Sequence, residues 1–236
     1  MREPTSPASS ESWWGGGEPR RAGRLGAPFA EAGAVSPSRA EAFERCIGSG
    51  GVAVFPADTV YGLACDPESP AAVARLYELK GRRPDKPAAI MFFALEPALA
   101  ALPRLGPRTE AAARALLPGP LTLLLPNPER RFPLACGPDP GTLGLRVPRV
   151  PALAAVQIPV LQSSANLAGD PDARTFAAVA PVIRDAADLV IDGGELPGTP
   201  STVLDLRQFE DAGRWSVLRE GAVSRTTLVA ALGEGG

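Results

Sequence analysis

Four cations crowd one short stretch of this chain, Lys80, Arg82, Arg83 and Lys86. Thr59 stands upstream of them in a polar loop, Ala57-Asp58-Thr59, and a second polar cluster, Ser163-Ser164-Ala165-Asn166, lies further on. Arg146 interrupts the apolar run Leu143-Gly144-Leu145-Arg146-Val147. A charge there is costly unless it is paired or faces a cleft. Cations joined to hydroxyls and an amide are chemistry for anions: arginine matches carboxylate and phosphate with a planar fork, and lysine acts as a point charge. Other chemistries are closed. The sequence has no histidine, which excludes Ser-His-Asp and Cys-His catalysis and any His-ligated metal. Cys46, Cys65 and Cys136 are far apart, with no Cys-x-x-Cys, so they read as small buried hydrophobes in a reducing cytosol. Cations in a last helical turn also complement the helix dipole. Charge alone does not separate that role from an anion site, just as a Ser/Asn cluster also serves as a turn.

The elements that position these residues can be read locally. Val52–Phe55 is a short apolar run between Gly51 and Pro56, the pattern of a buried strand, and it leads into the Thr59 loop, which ends at Val60-Tyr61-Gly62-Leu63. Ser69 is an N-cap with Pro70 at the first helical position, and Gly81 ends the helix just beyond Lys80. Ser38 and Glu41 have capping-box spacing for an earlier helix that stops at Gly48. Gly48-Ser49-Gly50-Gly51 precedes a strand rather than following one, so it is a turn and not a phosphate loop. Further strands are expected at Ala88–Ala94, Leu121–Leu125, Leu143–Val147, Pro159–Gln162, Leu189–Ile191 and Ser201–Leu206, with Trp215–Arg219 as hairpin partner to the last. Helices are expected near Glu96–Leu102, Thr109–Leu117 and Thr175–Ala187, and from Ser224 to Gly233. Imperfect alternation of strands and helices implies one α/β domain with a twisted mixed parallel and antiparallel sheet flanked by helices.

The chain has 236 residues at 45% hydrophobic composition, enough for one large core. Its net charge of −2 is unlike that of a protein that coats nucleic acid. No apolar run approaches the ~20 residues that span a bilayer, and no signal-peptide pattern is present. Residues 1–37 are rich in Gly, Pro and Ser and poor in large aliphatics. A disordered tail is therefore expected there, with Trp13-Trp14 incidental to it, and a folded domain over 38–236.

Taken together, the motifs resemble those of the YrdC-like family, the threonylcarbamoyl-AMP synthases. Phe55-Pro56-Ala57-Asp58-Thr59-Val60-Tyr61-Gly62-Leu63 is similar to that family's opening signature. Lys80-Gly81-Arg82 with Lys86-Pro87 resembles its Lys-x-Arg and Lys-Pro, Pro118-Gly119-Pro120-Leu121-Thr122 its Pro-Gly-Pro-x-Thr, and Arg146-Val147-Pro148 its Arg-x-Pro. Ser164-Ala165-Asn166, Pro200-Ser201-Thr202-Val203 and Arg219-Glu220-Gly221 follow in the family's order. The family usually has a second Thr or Ser where this chain has Ala57, and often a His after Arg-x-Pro.

This resemblance implies a YrdC-like fold of the short form with a concave basic cavity. It implies a nucleotidyltransferase that joins L-threonine, bicarbonate and ATP into threonylcarbamoyl-AMP and pyrophosphate, for modification of tRNA by downstream threonylcarbamoyl transferase proteins. Lys80 and Arg82 are the implied catalytic residues. ATP would be held by Lys80, Arg82, Lys86, Ser164, Asn166 and Arg219, and threonine and bicarbonate by Thr59, Thr122, Arg146 and Ser201. Mg²⁺ would arrive on the ATP phosphates and not in a protein cage. A cytoplasmic location, no membrane partner and at most weak contact with tRNA or other RNA are expected. Two other readings stand beside this one. An RNA-binding module would need strong salt-dependent affinity. A paralogue forming another carbamoyl-adenylate, for example from carbamoyl phosphate, would be independent of threonine.

Overall fold

A computed structural model of the chain describes residues 38–234 and the backbone of Gly23–Arg24. The expected tail otherwise lies outside the described residues, Trp13-Trp14 included. The strands are β1 (Gly23–Arg24), β2 (Ala53–Pro56), β3 (Tyr61–Cys65), β4 (Ala89–Met91), β5 (Leu121–Pro126), β6 (Thr142–Arg146), β7 (Val160–Ser164), β8 (Leu189–Val190), β9 (Thr202–Asp205) and β10 (Ser216–Arg219). The helices are α1 (Arg39–Gly48), α2 (Pro70–Leu79), α3 (Leu95–Ala100), α4 (Pro107–Leu116), α5 (Pro181–Ala186), α6 (Phe209–Ala212) and α7 (Arg225–Leu232). All described strands join one mixed sheet in the order β1-β8-β2-β3-β7-β4-β6-β5-β9-β10.

Local chemistry sets the boundaries. The Ser38 hydroxyl accepts from the Glu41 amide at 3.2 Å while the Glu41 carboxylate accepts from the Ser38 amide at 2.8 Å, a closed capping box. Ser69 caps α2 through the Ala72 amide, and Ser224 caps α7 through the Thr227 amide. Gly81 follows α2 with φ +57°, a conformation that spares a side chain. It turns the chain so that Arg82 leaves the helix axis.

Two expectations need correction. Val60–Leu63 is not the end of a loop: Tyr61–Cys65 forms β3 and pairs antiparallel with β2, Pro56 opposite Tyr61. Gly62 masked the strand pattern, yet it belongs there. A Cβ at Gly62 would lie 3.0 Å from the Gln162 amide nitrogen and 3.1 Å from the Phe55 ring. The helix expected over Thr175–Ala187 is broken. Phe176–Ala178 is a 3₁₀ turn and α5 starts only at Pro181, because proline cannot donate to the preceding turn.

Alternate residues of the central strands pack into opposite layers. Val54, Leu63, Ile90 and Leu161 join the larger core beneath α2, α4, α5 and α7. Ala53, Phe55, Met91 and Val160 join a smaller core with Phe43 and Ile47 of α1. There the Phe43 ring meets Phe55 at 5.3 Å and Phe93 at 5.5 Å, both edge to face, each pair worth ~1 kcal/mol beyond its burial. Over β5, β6 and β9 only the larger core is present. Leu121, Leu123 and Leu125, Leu143 and Leu145, and Thr202 and Leu204 are buried, while the residues between them are mostly half-buried. The opposite face of these strands is the floor of a cavity.

Candidate functional site

The cavity, about 580 Å³, is lined mainly by alternate positions of β5, β6, β7 and β9, with Ala89 of β4. β5 contributes Thr122 and Leu124, and β6 contributes Thr142, Gly144 and Arg146. β7 contributes Gln162, Ser163 and Ser164, Ser201 lies just before β9, and β9 contributes Val203. The β2–β3 turn supplies Thr59, the segment after α2 supplies Arg82 and Lys86, and the end of β10 supplies Arg219. Cations outnumber carboxylates: Arg82, Lys86, Arg146, Arg207 and Arg219 line the space against Asp85, Asp139 and Asp172. Four of these carry ion pairs to each other or to neighbours: Asp85 holds Arg83, Arg207 spans Asp139 and Asp205, and Arg146 holds Asp58.

Eight of the expected contacts therefore meet in one cavity: Thr59, Arg82, Lys86, Thr122, Arg146, Ser164, Ser201 and Arg219. Lys80 and Asn166 do not line it. Lys80 is only 2% exposed. Its ammonium donates to the Ser164 carbonyl, to the Asn166 carbonyl at 2.7 Å and to the Asn166 side-chain oxygen at 3.1 Å. All three ammonium hydrogens are thus spent behind the wall that Ser164 presents. Burial pushes the Lys80 ammonium down to about 8, with the Arg82 charge adding to the effect and Asp172 opposing it. Asn166 accepts from the Ser164 hydroxyl at 2.5 Å and donates to the Asp170 carbonyl at 2.6 Å. Its strand-to-loop position put it beside the site, but its amide is consumed by the loop itself.

Arg146 is mostly buried in the cavity floor and held from two sides. One terminal nitrogen donates to Asp58 at 2.7 Å and the other to Gln162 at 3.1 Å. Burial pushes the Asp58 carboxyl up against the pull of Arg146, and burial likewise pushes the Arg146 guanidinium down against the pull of Asp58. Desolvation is the larger effect at both ends of the pair. At the far wall, Arg219 donates to the Ser201 carbonyl at 2.8 Å and to the Ser201 hydroxyl at 3.1 Å, and Thr122 and Ser201 share a hydroxyl contact of 3.0 Å. The chain packs tightly there. A Cβ at Gly221 would overlap the Pro200 carbonyl, so glycine at that position lets Ala222 bond to Pro200 at 2.9 Å. Arg82 donates to the Pro87 carbonyl at 2.7 Å and sits over the Tyr77 ring.

Sequence reasoning missed Asp85, Asp139 and Arg207 as lining residues, and also Thr142, Gln162 and Asp172. Thr142 and Gln162 carried a readable signal. Thr142 lies four residues before Arg146 and Gln162 two before Ser164, so the period of two along a strand puts each on its partner's face. Asp172 sits in a loop and carried none. Among the described residues no group of three or more Cys, Asp or Glu side chains could hold a metal ion. Nor is any described helix long and apolar enough to cross a membrane.

Comparison with known proteins adds relatives to this geometry. The Sua5/YciO/YrdC family model, described as "Telomere recombination", matches residues 45–221. A threonylcarbamoyl-AMP synthase of Xanthomonas oryzae pv. oryzae is 36% identical over 166 residues, which is 67% of this chain and 88% of the relative. One from Pyrococcus abyssi is 32% identical over 193 residues, 80% of this chain and 55% of the relative. Among solved structures, P. abyssi Sua5 complexed with L-threonine superposes with a TM-score of 0.70 at 30% identity, covering 82% of this chain and 57% of that one. E. coli YciO gives a TM-score of 0.64 at 27% identity, covering 80% and 89%. The chain thus spans nearly all of the Xanthomonas relative and little more than half of the Pyrococcus protein.

Proposed function

The chain belongs to the Sua5/YciO/YrdC family, and on that premise we propose that it is an L-threonylcarbamoyladenylate synthase, an enzyme of nucleotidyl transfer. Its substrates are L-threonine, bicarbonate and ATP. The observation that carries this reading is the single cavity in which Arg82, Lys86, Arg146 and Arg219 converge with the hydroxyls of Thr59, Thr122 and Ser201. Bicarbonate, an amino-acid carboxylate and a triphosphate are all anions, and only fixed cations allow them to be crowded together. The relatives named threonylcarbamoyl-AMP synthase and the threonine-bound Pyrococcus structure support the same assignment.

The reaction balances without histidine. The threonine amine, having released a proton, attacks the carbon of bicarbonate, and water leaves as the carbamate forms. A carbamate oxygen then attacks the α-phosphorus of ATP and pyrophosphate departs. Both steps need alignment and charge neutralisation more than acid–base exchange. Arg146, Thr59, Thr122 and Ser201 hold threonine and bicarbonate. Arg82, Lys86 and Arg219 spread over the phosphates, and Ser164 orients the nucleotide. Lys80, and Asn166 through it, act from behind the wall by fixing the Ser164 segment and adding charge. Mg²⁺ enters with ATP as part of the substrate.

The folded domain of residues 38–236 carries the activity. The product goes to transferase proteins that place the threonylcarbamoyl group on tRNA, with at most weak direct RNA contact. Three unpaired thiols, Cys46, Cys65 and Cys136, suit a reducing cytoplasm.

Pyrophosphate release, measured with threonine, bicarbonate and ATP together and with each omitted in turn, tests the reading. Release should require all three. Release that ignores threonine or accepts carbamoyl phosphate would overturn it in favour of a paralogous carbamoyl-adenylate former. Tight, salt-dependent RNA binding without turnover would favour an RNA-binding module.

A further inference from the structure

Asp58 is absent from the residues assigned above to substrate, and it does not line the cavity. It occupies the four-residue turn between β2 and β3, which the Ala57 amide closes on the Val60 carbonyl at 3.2 Å. From there its carboxylate reaches across the sheet to Arg146 at 2.7 Å, with both side chains nearly sealed, 7% and 6% exposed. Gln162 holds the other end of the guanidinium at 3.1 Å. Ala89 of β4 lies in register between Gln162 and Gly144, so a small side chain leaves room for Arg146 to pass over β4.

The two contacts use one hydrogen on each terminal nitrogen of a group that has five N–H donors. The Arg146 Nε is buried and has no protein partner, and neither have the Thr59 hydroxyl and the second carboxylate oxygen of Asp58. Buried polar groups are normally satisfied, and donors left unmatched in the lining of a cavity call for a partner from the cavity, a ligand or an ordered water. A guanidinium pinned at both tips cannot rotate. Its remaining donors are then held in a fixed orientation, which favours bidentate capture of a planar carboxylate.

We propose that Asp58 is a positioning residue: it holds the Arg146 guanidinium against Gln162 so that the free donors of Arg146 meet the carboxylate-bearing amino-acid substrate in a fixed orientation. The proposal rests on the functional reading above. It goes beyond that reading in assigning orientation of the amino acid, and not of the nucleotide, to a residue that touches neither. A lone arginine would bind carboxylates in several poses, and misplacement of a reacting group is costly in rate.

The test compares Asp58→Asn, which removes the charge at constant size, with Asp58→Glu. Binding of L-threonine and of ATP is measured separately by calorimetry, alongside KM, kcat and melting temperature. Asp58→Asn should raise the Kd and KM for L-threonine by about tenfold or more while the ATP Kd moves by less than about twofold. Asp58→Glu should recover part of the loss. Arg146→Gln should weaken threonine binding as much alone as with Asp58→Asn added, because Asp58 acts only through Arg146. A crystal structure of Asp58→Asn should show the guanidinium turned away from Gln162. Unchanged threonine affinity, or threonine and ATP affinities falling together with the melting temperature, would overturn the positioning role. If Asp58→Asn does not fold, Asp58→Glu decides by the same split between the two ligands. Should the wild-type protein bind no L-threonine, the functional reading falls, and the place of Arg146 in the variant crystal judges the positioning role on its own.

Discussion

Lys80 and Arg146 are 2% and 5% exposed, both beside one cavity, yet the fold treats their charges differently. Around Lys80 there is no carboxylate within ion-pair distance among the described residues. Three oxygens of Ser164 and Asn166 surround the ammonium and use every hydrogen it has. Arg146 has a carboxylate partner in Asp58, uses two of its donors and leaves its Nε bare. The difference lies in the side chains: an ammonium is compact and can be enclosed by carbonyls, whereas a guanidinium cannot be satisfied on all edges from one side. Lys80 thus belongs to the wall and acts on a ligand through position and field. Arg146 belongs to the floor and can touch a ligand directly.

Removing the enclosed charge should have the largest effect. Lys80→Ala withdraws the donor from two carbonyls and the charge from beneath Ser164. Pyrophosphate release should fall by about two orders of magnitude or more, with a stability loss of ~1–3 kcal/mol from the acceptors left behind. Normal turnover in a destabilised Lys80→Ala protein would break the contrast by making Lys80 a purely structural residue.

A second measurement concerns pH. Burial lowers the Lys80 ammonium from 10.5 to about 8 in the folded protein. Below about 8 both states are charged and the burial penalty is complete. Between about 8 and 10.5 the folded protein has released a proton that the unfolded chain keeps, so this group makes stability rise with pH. Urea midpoints followed from about pH 7 to about pH 10 should therefore rise more steeply in wild type than in Lys80→Met. Parallel curves would mean that the surrounding carbonyls hold the ammonium charged throughout.

The smallest expected effect belongs to Asn166→Ala. Its strand-end position alone points to ATP, with little consequence for stability. In the fold it accepts from Lys80 and Ser164 and donates to Asp170, and the expectation reverses. Stability should drop by ~1 kcal/mol. ATP affinity, measured by calorimetry, should weaken less than in Lys80→Ala, because the Ser164 carbonyl still engages Lys80. A large loss of ATP affinity at unchanged melting temperature would instead put Asn166 in direct contact with the nucleotide.

Wherever a signal is confined to neighbouring residues, the sequence by itself determined the outcome. The caps of α1, α2 and α7 rest on a serine and the amide three residues on, and the anionic character of the ligands follows from cations without histidine. Strand positions were legible from apolar runs, except β1, which no apolar run marks, and β3, whose Gly62 and Tyr61 are explained only by what lies across the sheet. Pro181 was in plain view, and the helix break there was a local signal outweighed by the apolar pattern around it. Tertiary structure alone decided which cations face the cavity. Lys80 and Arg82 are two residues apart, yet Gly81 turns the chain between them and one is enclosed while the other lines the space. Asp58 and Arg146 are 88 residues apart and meet only because the sheet order brings the β2–β3 turn over β6. No local pattern encodes such a contact, because it depends on strand order and on which sheet face is left without a covering helix.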